Sequence, residues 1–431
     1  MTTITFVGAG SAEFTRQLLR DLLSYPDLPE PTFVLHDIDA ERLELARGIA
    51  EIAVRHHGRP AHIRATLSRA EALAGADFVI NTVAIGGHAA TLTDFDLPES
   101  FGLRQTIGDT LGVGGIFRGL RTFGFLEGLA QDMLAICPNA WLLNYTNPMS
   151  MIATFLPRRF PQLKFLGLCH SVYWTVHDLC ELIEVPLDEV AFASAGVNHQ
   201  AWLLSWTRAG QNLYPLLDAR IEADPQLRRR VRVDMYRRLG VYPTETSEHS
   251  SEYVPWYLPH PEEIERLRIP LRDYVQISAH NAEEMTRLAP SVARGEYVEP
   301  EDEAAEYAPQ VIRSMTAGAP ITIQANVLNT GLIPNLPDGV GVEVPCRIGP
   351  SGAAPITVAP LPAQCAALNR AFLNVVDLTV RAFMERDPAH IVHAMMADPN
   401  ASATLTVGQI DELAAAMRKA HAALLPPELA L

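Results

Sequence analysis

The feature that most constrains the fold is a glycine-rich turn near the start of the chain. An apolar run from Ile4 to Val7 predicts a buried strand, Gly8-Ala9-Gly10-Ser11 follows at once, and a helical pattern continues to Leu22. Two glycines allow the backbone to turn sharply and to approach a pyrophosphate, which the free N–H groups of a helix start can bind. The turn therefore predicts a dinucleotide site at Gly8, Gly10 and Ser11, although the third glycine of the usual fingerprint is missing.

A carboxylate follows the second predicted strand. Thr32 to Leu35 is apolar and leads into His36-Asp37, where a carboxylate can accept hydrogen bonds from ribose hydroxyls. Because Asp37 would repel a ribose phosphate, it favours NAD over NADP. Asn81, in a later apolar run, is predicted to contact the same cofactor. The alternative for the whole set is a tight strand–helix turn that binds no ligand.

Apolar runs alternate with helical patterns through the first half of the chain. Runs that are apolar on both faces predict a parallel sheet covered on both sides by helices, and hence an α/β fold. The pattern changes near residue 190, where two strand-like runs precede long polar helices. We therefore predict an NAD-binding domain over residues 1–195 and an α+β domain over residues 196–431 for substrate, metal and subunit contacts. The predicted strands are 3–7, 32–35, 62–66, 77–83, 141–144, 164–168, 190–195, 201–206, 321–328 and 340–344, and the predicted helices include 40–57, 120–134 and several within 363–424.

Charge and cysteine content limit the partners and the compartment. The formal net charge of −16 disfavours binding to nucleic acid or to an anionic membrane. Five cysteines, an odd number without the spacing of a disulfide framework, indicate reduced thiols. The chain shows no signal-peptide pattern and no apolar run long enough to cross a bilayer. We therefore expect a cytoplasmic protein that acts on a small molecule.

Two possible metal ligands follow predicted strands. Cys169 and His170 come directly after the strand that ends at Leu168, and His199 follows the next strand-like run. Ligands bind beyond the carboxyl ends of parallel strands, and a thiolate and an imidazole can together hold a divalent transition metal with open positions. The spacing is not that of a zinc motif. A buried thiol and a core histidine are therefore the alternative, and spacing alone favours it.

Taken together, the ordered motifs resemble glycoside hydrolase family 4, the NAD- and manganese-dependent glycosidases, over nearly the whole chain. The tetrapeptide at Cys169 looks like that of the family's α-galactosidase branch. The resemblance implies a Rossmann-type, doubly wound parallel sheet like that of lactate and malate dehydrogenases, with a second α+β domain. It also implies an oligomer, here a homodimer or homotetramer. The motifs are Val7-Gly8-Ala9-Gly10-Ser11, residues 102–110, Asn144-Tyr145-Thr146-Asn147-Pro148, Cys169-His170-Ser171-Val172, Gly196-Val197-Asn198-His199, Ser247-Glu248-His249 and residues 326–345.

The family's chemistry suggests how a glycoside would be cleaved. NAD takes hydride from sugar C3, a base removes the C2 proton made acidic by the ketone, the aglycone leaves C1, water adds and the hydride returns. The resemblance implies that Cys169 and His199 hold Mn²⁺ and that Asn147 contacts the substrate, with Asn198 as a second predicted substrate contact.

Several residues remain open as acid or base. The acid that assists departure of the aglycone is predicted to be His170, with Asp109 as its rival. The C2 base is predicted among His249, Glu248 and Tyr253. Asp109 has a plain alternative as a helix cap, His249 as a residue of a polar surface loop, and Asn147 as a turn residue before proline.

An α-galactoside is the predicted substrate, with α-glucosides and α-glucuronides next. Two other functions share the first domain: a plain NAD-dependent dehydrogenase with net NADH production, and a non-catalytic nucleotide sensor. The Cys169–His199 pair argues against the dehydrogenase, because a simple hydroxy-acid dehydrogenase needs no metal thiolate. A nucleotide sensor would be distinguished by keeping its function in the Cys169→Ser variant.

Overall fold

The computed structural model describes residues 2–300 and 306–430 of the chain. Within these ranges thirteen strands join in one mixed sheet, and helices cover both of its faces. The strands are β1 (Thr2–Val7), β2 (Pro31–His36), β3 (His62–Thr66), β4 (Phe78–Asn81), β5 (Trp141–Asn144), β6 (Lys164–Gly167), β7 (Val190–Val197), β8 (Gln200–Arg208), β9 (Gln211–Asn212), β10 (Tyr242–Pro243), β11 (Ile321–Leu328), β12 (Gly341–Gly349) and β13 (Gly352–Pro355).

The helices alternate with strands in the first part and dominate the end of the chain. They are α1 (Ala12–Ser24), α2 (Ala40–His57), α3 (Arg69–Leu73), α4 (Gly87–Ser100), α5 (Gly112–Ile136), α6 (Met149–Arg159), α7 (Ser171–Leu182), α8 (Tyr214–Ala223), α9 (Val231–Leu239), α10 (Ser247–Glu252), α11 (Pro261–Leu267), α12 (Asp273–Ala293), α13 (Tyr307–Ala317), α14 (Ala363–Glu385), α15 (Ala389–Ala397), α16 (Pro399–Thr404) and α17 (Val407–Ala420). None of these helices is long and apolar enough to cross a membrane.

The first six strands are parallel and lie in the order β3-β2-β1-β4-β5-β6. This is the Rossmann order, which confirms the predicted fold class. β2 is buried along its whole length and β4 likewise, which explains their unbroken apolar runs. The order brings the carboxyl ends of β1, β4, β5 and β6 to one edge of the sheet, where Val7, Asn81, Asn144 and Gly167 pair in register.

The remaining strands extend the same sheet in antiparallel fashion. β11 joins β6, and β12, β7, β8 and β10 follow in that order. β7 and β8 form a hairpin joined by only two residues, Asn198 and His199. Residue 195 lies inside β7, so the predicted boundary falls within a continuous strand of the shared sheet and remains a prediction.

Helix α5 begins eight residues earlier than the predicted helix at Leu120. The sequence there, Gly112-Val113-Gly114-Gly115, has poor helix propensity, and tertiary packing overrides it. A Cβ at Gly114 would lie 2.5 Å from the Gly108 carbonyl oxygen, and one at Gly115 would lie 2.7 Å from Thr110 C. The glycines therefore allow the 108–110 loop to pack directly on the helix.

A cluster of three buried phenylalanines ties the last long helix to the first part of the chain. The ring of Phe123 in α5 lies 4.7 Å from that of Phe155 in α6, and Phe383 in α14 lies 5.4 and 5.3 Å from these two rings. All three side chains are fully buried. Because both halves of the chain supply rings, this cluster makes their stability interdependent.

We expect Phe155→Ala to lower the free energy of unfolding by about 3–5 kcal/mol, since it removes a buried ring and leaves a cavity. Met384→Ala, an exposed position beside Phe383, is the control and should change the same quantity by less than about 0.5 kcal/mol. Urea unfolding followed by circular dichroism measures both. Equal effects of the two substitutions would show that the aromatic cluster does not couple the helices.

Candidate active site

A cavity of about 470 Å³ opens at the carboxyl ends of the first strands. Gly8, Gly10, Ser11 and Asp37 line it, four of the five residues that the sequence predicts for cofactor binding. The Ser11 side chain makes no capping bond to α1, so the first N–H groups of the helix remain available to an anion. The volume lies within the usual range for ligand pockets.

The glycine turn and the carboxylate hold each other in place. Gly10 N–H donates to Asp37 Oδ2 at 2.8 Å, and Asp39 N–H donates to Asp37 Oδ1 at 3.0 Å. A Cβ at Gly10 would lie 2.6 Å from Asp37 Oδ2, so only glycine permits this approach. The carboxylate is therefore fixed at the cavity wall with lone pairs left for ribose hydroxyls.

Asn81 does not line the cavity. Its side chain is fully buried, and Nδ2 donates to Asn144 Oδ1 at 2.8 Å and to Thr146 Oγ1 at 3.1 Å. These bonds join the loops after β4 and β5. The Asn81 amide therefore connects these two loops, and its direct contact with the cofactor stays a prediction.

The opposite wall of the cavity comes largely from α4 and α12. His88 Nδ1 lies 2.8 Å from Ser278 Oγ, joining the two helices. Arg118 also lines the cavity, with its guanidinium 5.1 Å from the centre of the Tyr274 ring. The charge of Arg118 acts on the buried carboxylate of Asp109, so the cavity adjoins a second group of polar residues.

The second group centres on Cys169 and His199. Cys169 Sγ lies 3.3 Å from His199 Nε2, although the two residues are thirty positions apart. His199 occupies the β7–β8 turn with a φ of 62°, a left-handed conformation that a β-carbon makes costly. His199 Nδ1 lies 3.1 Å from Thr110 Oγ1, which orients the ring. The tight hairpin thus brings the imidazole to the thiol.

This donor pair fits a divalent transition metal. Metal–sulfur and metal–nitrogen distances of about 2.3 and 2.1 Å allow one cation to contact both atoms. Burial, assisted by the negative charge of Glu245, raises the pKa of the Cys169 thiol to about 12, so a bound cation must displace its proton. Asn198 is fully buried beside His199, and its side chain interacts with the Cys169 thiol. It therefore lies against this pair of possible ligands.

Asp109 is buried and stays ionised. Burial by itself would raise its pKa, but the nearby His249 imidazole and the charge of Arg118 hold the pKa well below its usual range. Asp109 Oδ2 accepts from Asn147 Nδ2 at 2.9 Å, and Oδ1 accepts from the Thr110 hydroxyl at 2.8 Å. The N-cap of α5 is Leu111, so the capping alternative for Asp109 is wrong.

His249 and His170 flank the thiol–imidazole pair. The ring of His249 lies 4.2 Å from that of His199, and its Nε2 is 3.8 Å from Asp109 Oδ1. Within residues 2–300 and 306–430 this nitrogen is buried without a hydrogen bond, while Nδ1 lies 3.1 Å from Thr246 Oγ1. One ligand atom from each of Asp109, His199 and His249 lies within 4.8 Å of the other two, an arrangement that could also hold a cation. His249 is therefore not a residue of a surface loop.

His170 Nδ1 lies 3.3 Å from the buried carboxylate of Glu306, which the sequence analysis did not identify. A carboxylate beside one ring nitrogen orients a histidine and determines which nitrogen carries the proton. His170 is thereby held next to Cys169, with its other nitrogen available for proton transfer.

The other two predicted bases are less well placed. The Tyr253 hydroxyl donates to the Asn198 carbonyl oxygen at 2.8 Å, and burial raises its pKa well above the ordinary value. A phenol held in this way is a poor proton acceptor. Glu248 is only half-buried, and its charge acts on Asp273. Of the three predicted bases, the structure brings only His249 against Asp109 and His199.

Besides Glu306, two further buried carboxyl groups were missed by the sequence analysis. Glu252 accepts from the N–H groups of Thr106, Ile107 and Gly108 at 2.7 to 3.1 Å. It therefore fixes the loop that carries Asp109 to the helix that carries His249. In the sequence, the one sign of this bracing role is that Glu252 lies three residues after His249, a spacing that places both on one face of a helix.

Glu343 is the second such group and is fully buried in β12. It pairs across the sheet with Gly196 on one side and Asn326 on the other. Burial and the charge of Cys169 raise its pKa well above the ordinary value. A protonated Glu343 adds no negative charge beside the thiol. Its strand contains alternating apolar residues, which gave no signal of a polar site.

Comparison with known proteins identifies this scaffold. A family model described as "Family 4 glycosyl hydrolase" matches residues 3–185, and one for the C-terminal domain of that family matches residues 194–401. An α-galactosidase of Bacillus subtilis (strain 168) is 37% identical over 431 residues, covering 99% of each chain. An α-galactosidase of Rhizobium meliloti (strain 1021) is 30% identical over 437 residues, covering 98% of this chain and 89% of the relative.

Solved structures agree on the fold. A 6-phospho-α-glucosidase from gut microorganisms, in complex with NAD and Mn²⁺, has a TM-score of 0.85 at 22% identity and covers 99% of each chain. Malate dehydrogenase from Plasmodium falciparum has a TM-score of 0.52 at 15% identity, covering 89% of this chain and 99% of that one. The predicted likeness to malate dehydrogenase is thereby confirmed. With both family models matched in order along nearly its whole length, the chain belongs to the family 4 glycosyl hydrolases.

Proposed function

We propose that this protein hydrolyses α-galactosides with NAD and a divalent metal, Mn²⁺ in the first place. The observation that carries the proposal is the Cys169–His199 pair, 3.3 Å apart and adjacent to a dinucleotide cavity. The two α-galactosidase relatives span nearly the whole chain and support the choice of sugar. A plain dehydrogenase would leave the thiol–imidazole pair without a use.

The residues divide into two binding sets. Gly8, Gly10, Ser11 and Asp37 would hold NAD, and Cys169 and His199 would hold the cation. When bound, NAD supplies a hydride acceptor for C3 of the sugar, and the cation supplies a Lewis acid for the oxygens on C2 and C3. All remaining steps are proton transfers and substrate positioning, which fall to the side chains of the chain itself.

His249 is our proposed base. Its Nε2 has no hydrogen-bond partner among the described residues and lies beside the ionised Asp109, which stabilises the imidazolium formed when it accepts the C2 proton. His170, oriented by Glu306, would give a proton to the departing glycosidic oxygen. Asp109 cannot serve as that acid while its pKa lies well below its usual range, so we assign it to orienting Asn147 toward the substrate.

We also propose that the enzyme works in the cytoplasm as a homodimer or homotetramer, without nucleic-acid or membrane partners. All five cysteines are free, which suits a reducing compartment. Light scattering of the purified protein measures the assembly, and a monomer at micromolar concentration would contradict this proposal.

The direct test of function is hydrolysis of p-nitrophenyl α-galactoside with NAD and Mn²⁺ added separately and together. We expect p-nitrophenol release only with both, and no net accumulation of NADH because the hydride returns to the sugar. The corresponding glucoside, glucuronide and galacturonide serve as comparisons. Stoichiometric NADH without p-nitrophenol would instead establish a dehydrogenase.

Cys169→Ser should weaken Mn²⁺ binding by more than about 100-fold, since even changes to groups that only support metal ligands cost about 10- to 100-fold. Titration of the Mn²⁺ electron paramagnetic resonance signal measures this without any assay of activity. Normal Mn²⁺ affinity in this variant would remove Cys169 from the site.

His249→Gln separates a base from a ligand. If His249 is the base, the variant should lose about 10²- to 10⁴-fold in kcat. Its Mn²⁺ affinity should stay near that of the wild type. A parallel loss of Mn²⁺ affinity would instead make His249 a metal ligand and refute its role as the base.

Glu252→Ala should lower kcat/KM by about 100-fold, because it removes the carboxylate that accepts three backbone N–H groups, and the Asp109 loop would shift. Glu248→Ala, on the same short helix, is the matched control and should retain nearly full activity. NAD affinity, measured by protein fluorescence, should be unchanged in both. A reversed order of activities would make Glu248 the functional carboxylate.

A further inference from the structure

A cluster of half-buried rings lies on α7, immediately after the two residues proposed for metal binding and proton donation. It consists of Tyr173, Trp174 and His177 and is called the α7 aromatic cluster below. Helix α7 begins at Ser171, so Cys169 and His170 precede its first turn. The cluster therefore starts within one helical turn of the proposed site.

The rings form a continuous path away from His170. The Tyr173 ring lies 6.0 Å from that of His170, and the Trp174 ring lies 5.3 Å from Tyr173. His177 stacks on Tyr173 at 6.2 Å with an interplanar angle of 26° and contacts the Trp174 ring edge-on at 5.0 Å. Mutual contact holds the rings in fixed orientations, which preorganises a surface for a ligand.

Partial exposure distinguishes these rings from the core aromatics. Trp202 and Trp206 are fully buried, and Trp202 Nε1 donates to Asn369 Oδ1. Trp174 instead keeps part of its surface accessible next to the proposed reaction centre. A half-buried aromatic ring offers an apolar face for the C–H side of a sugar while its polar edge stays hydrated.

Acidic residues border the cluster on the same helix. Asp178 and Glu181 are exposed, lie four residues after Trp174 and His177, and have carboxylates within ion-pair distance of His177. Because residues four apart share a helix face, rings and carboxylates face the same side. Flat apolar rings beside hydrogen-bond acceptors are the combination that a hexose needs, with stacking for its C–H face and acceptors for its hydroxyls.

The direction of the substrate follows from the proposed function, on which this inference rests. Cys169 and His199 would hold the cation that polarises the galactose ring, and His170 would meet the glycosidic oxygen, so the aglycone would extend beyond His170. The α7 aromatic cluster begins there. We propose that this cluster is the aglycone subsite and that the group it binds is a second hexose unit.

The test compares two galactosides that differ only in the aglycone: melibiose, which carries a glucose unit, and methyl α-galactoside, which carries a methyl group. Trp174→Ala in the holoenzyme should lower kcat/KM for melibiose by about tenfold, mainly through KM, as expected for the loss of one ring contact. For methyl α-galactoside, the kcat/KM of this variant should differ from that of the wild type by less than about twofold. Trp174→Phe should restore most of the activity on melibiose.

Trp141→Ala is the matched control. Trp141 is also half-buried, but it starts β5 and so lies at the amino-terminal edge of the parallel strands, opposite the proposed site. We expect it to leave the ratio of the two kcat/KM values unchanged. Tyr173→Leu provides a second variant if Trp174→Ala does not fold, and it should lower the same ratio.

Equal losses on both substrates, or no loss on melibiose, in the folded Trp174 and Tyr173 variants would overturn the subsite. Failure of the wild-type protein to cleave either galactoside would refute the proposed function and the inference with it. The two failures are distinct, since the second is seen without any substitution.

Discussion

The contact between Cys169 Sγ and His199 Nε2 is the interaction on which the rest of the site depends. It joins the carboxyl end of a parallel strand to the turn of an antiparallel hairpin, and it requires a left-handed backbone at a histidine. That conformation persists because β7 and β8 pair with each other from Val190–Arg208 to Val197–Gln200, and β7 also joins β12 at Gly196. The energy of sheet formation thus maintains a local geometry that an isolated turn would not adopt.

Close backbone approach is the second constraint. Glycine is needed at Gly10 for the turn to reach Asp37, and at Gly114 and Gly115 for the Asp109 loop to pack on α5. In each case the absence of a side chain lets two elements come into contact. The carboxylate of Asp37 lies at the first contact, and the loop that carries Asp109 forms the second. Gly114 and Gly115 have poor helix propensity, yet their lack of a side chain is what lets the loop that carries Asp109 pack on α5.

The buried carboxyl groups of the site differ in the direction of their pKa shifts. Asp109, surrounded by Arg118 and two imidazoles, remains ionised, whereas burial raises the pKa of both Glu343 and Glu252. A negative Asp109 would stabilise the charge that the proposed base His249 gains on accepting a proton, and a neutral Glu343 avoids repulsion of a thiolate at Cys169. These opposite shifts among neighbouring acids are typical of sites that move protons. They also separate the roles of Asp109 and His170, which the sequence leaves as rivals.

Sequence alone determined the architecture, because the alternation of doubly buried strands with helices and the Gly8-to-Ser11 turn follow from local periodicity. It also predicted Asp37, Cys169, His170 and His199 as site residues, since each follows a recognisable strand. Tertiary structure alone decided which of the three predicted bases lies beside Asp109, that the Asn81 amide joins the loops after β4 and β5, and that Glu252, Glu306 and Glu343 adjoin the proposed site. The reason is physical: their contacts join residues up to about 150 positions apart, and neither propensity nor periodicity carries information over such distances.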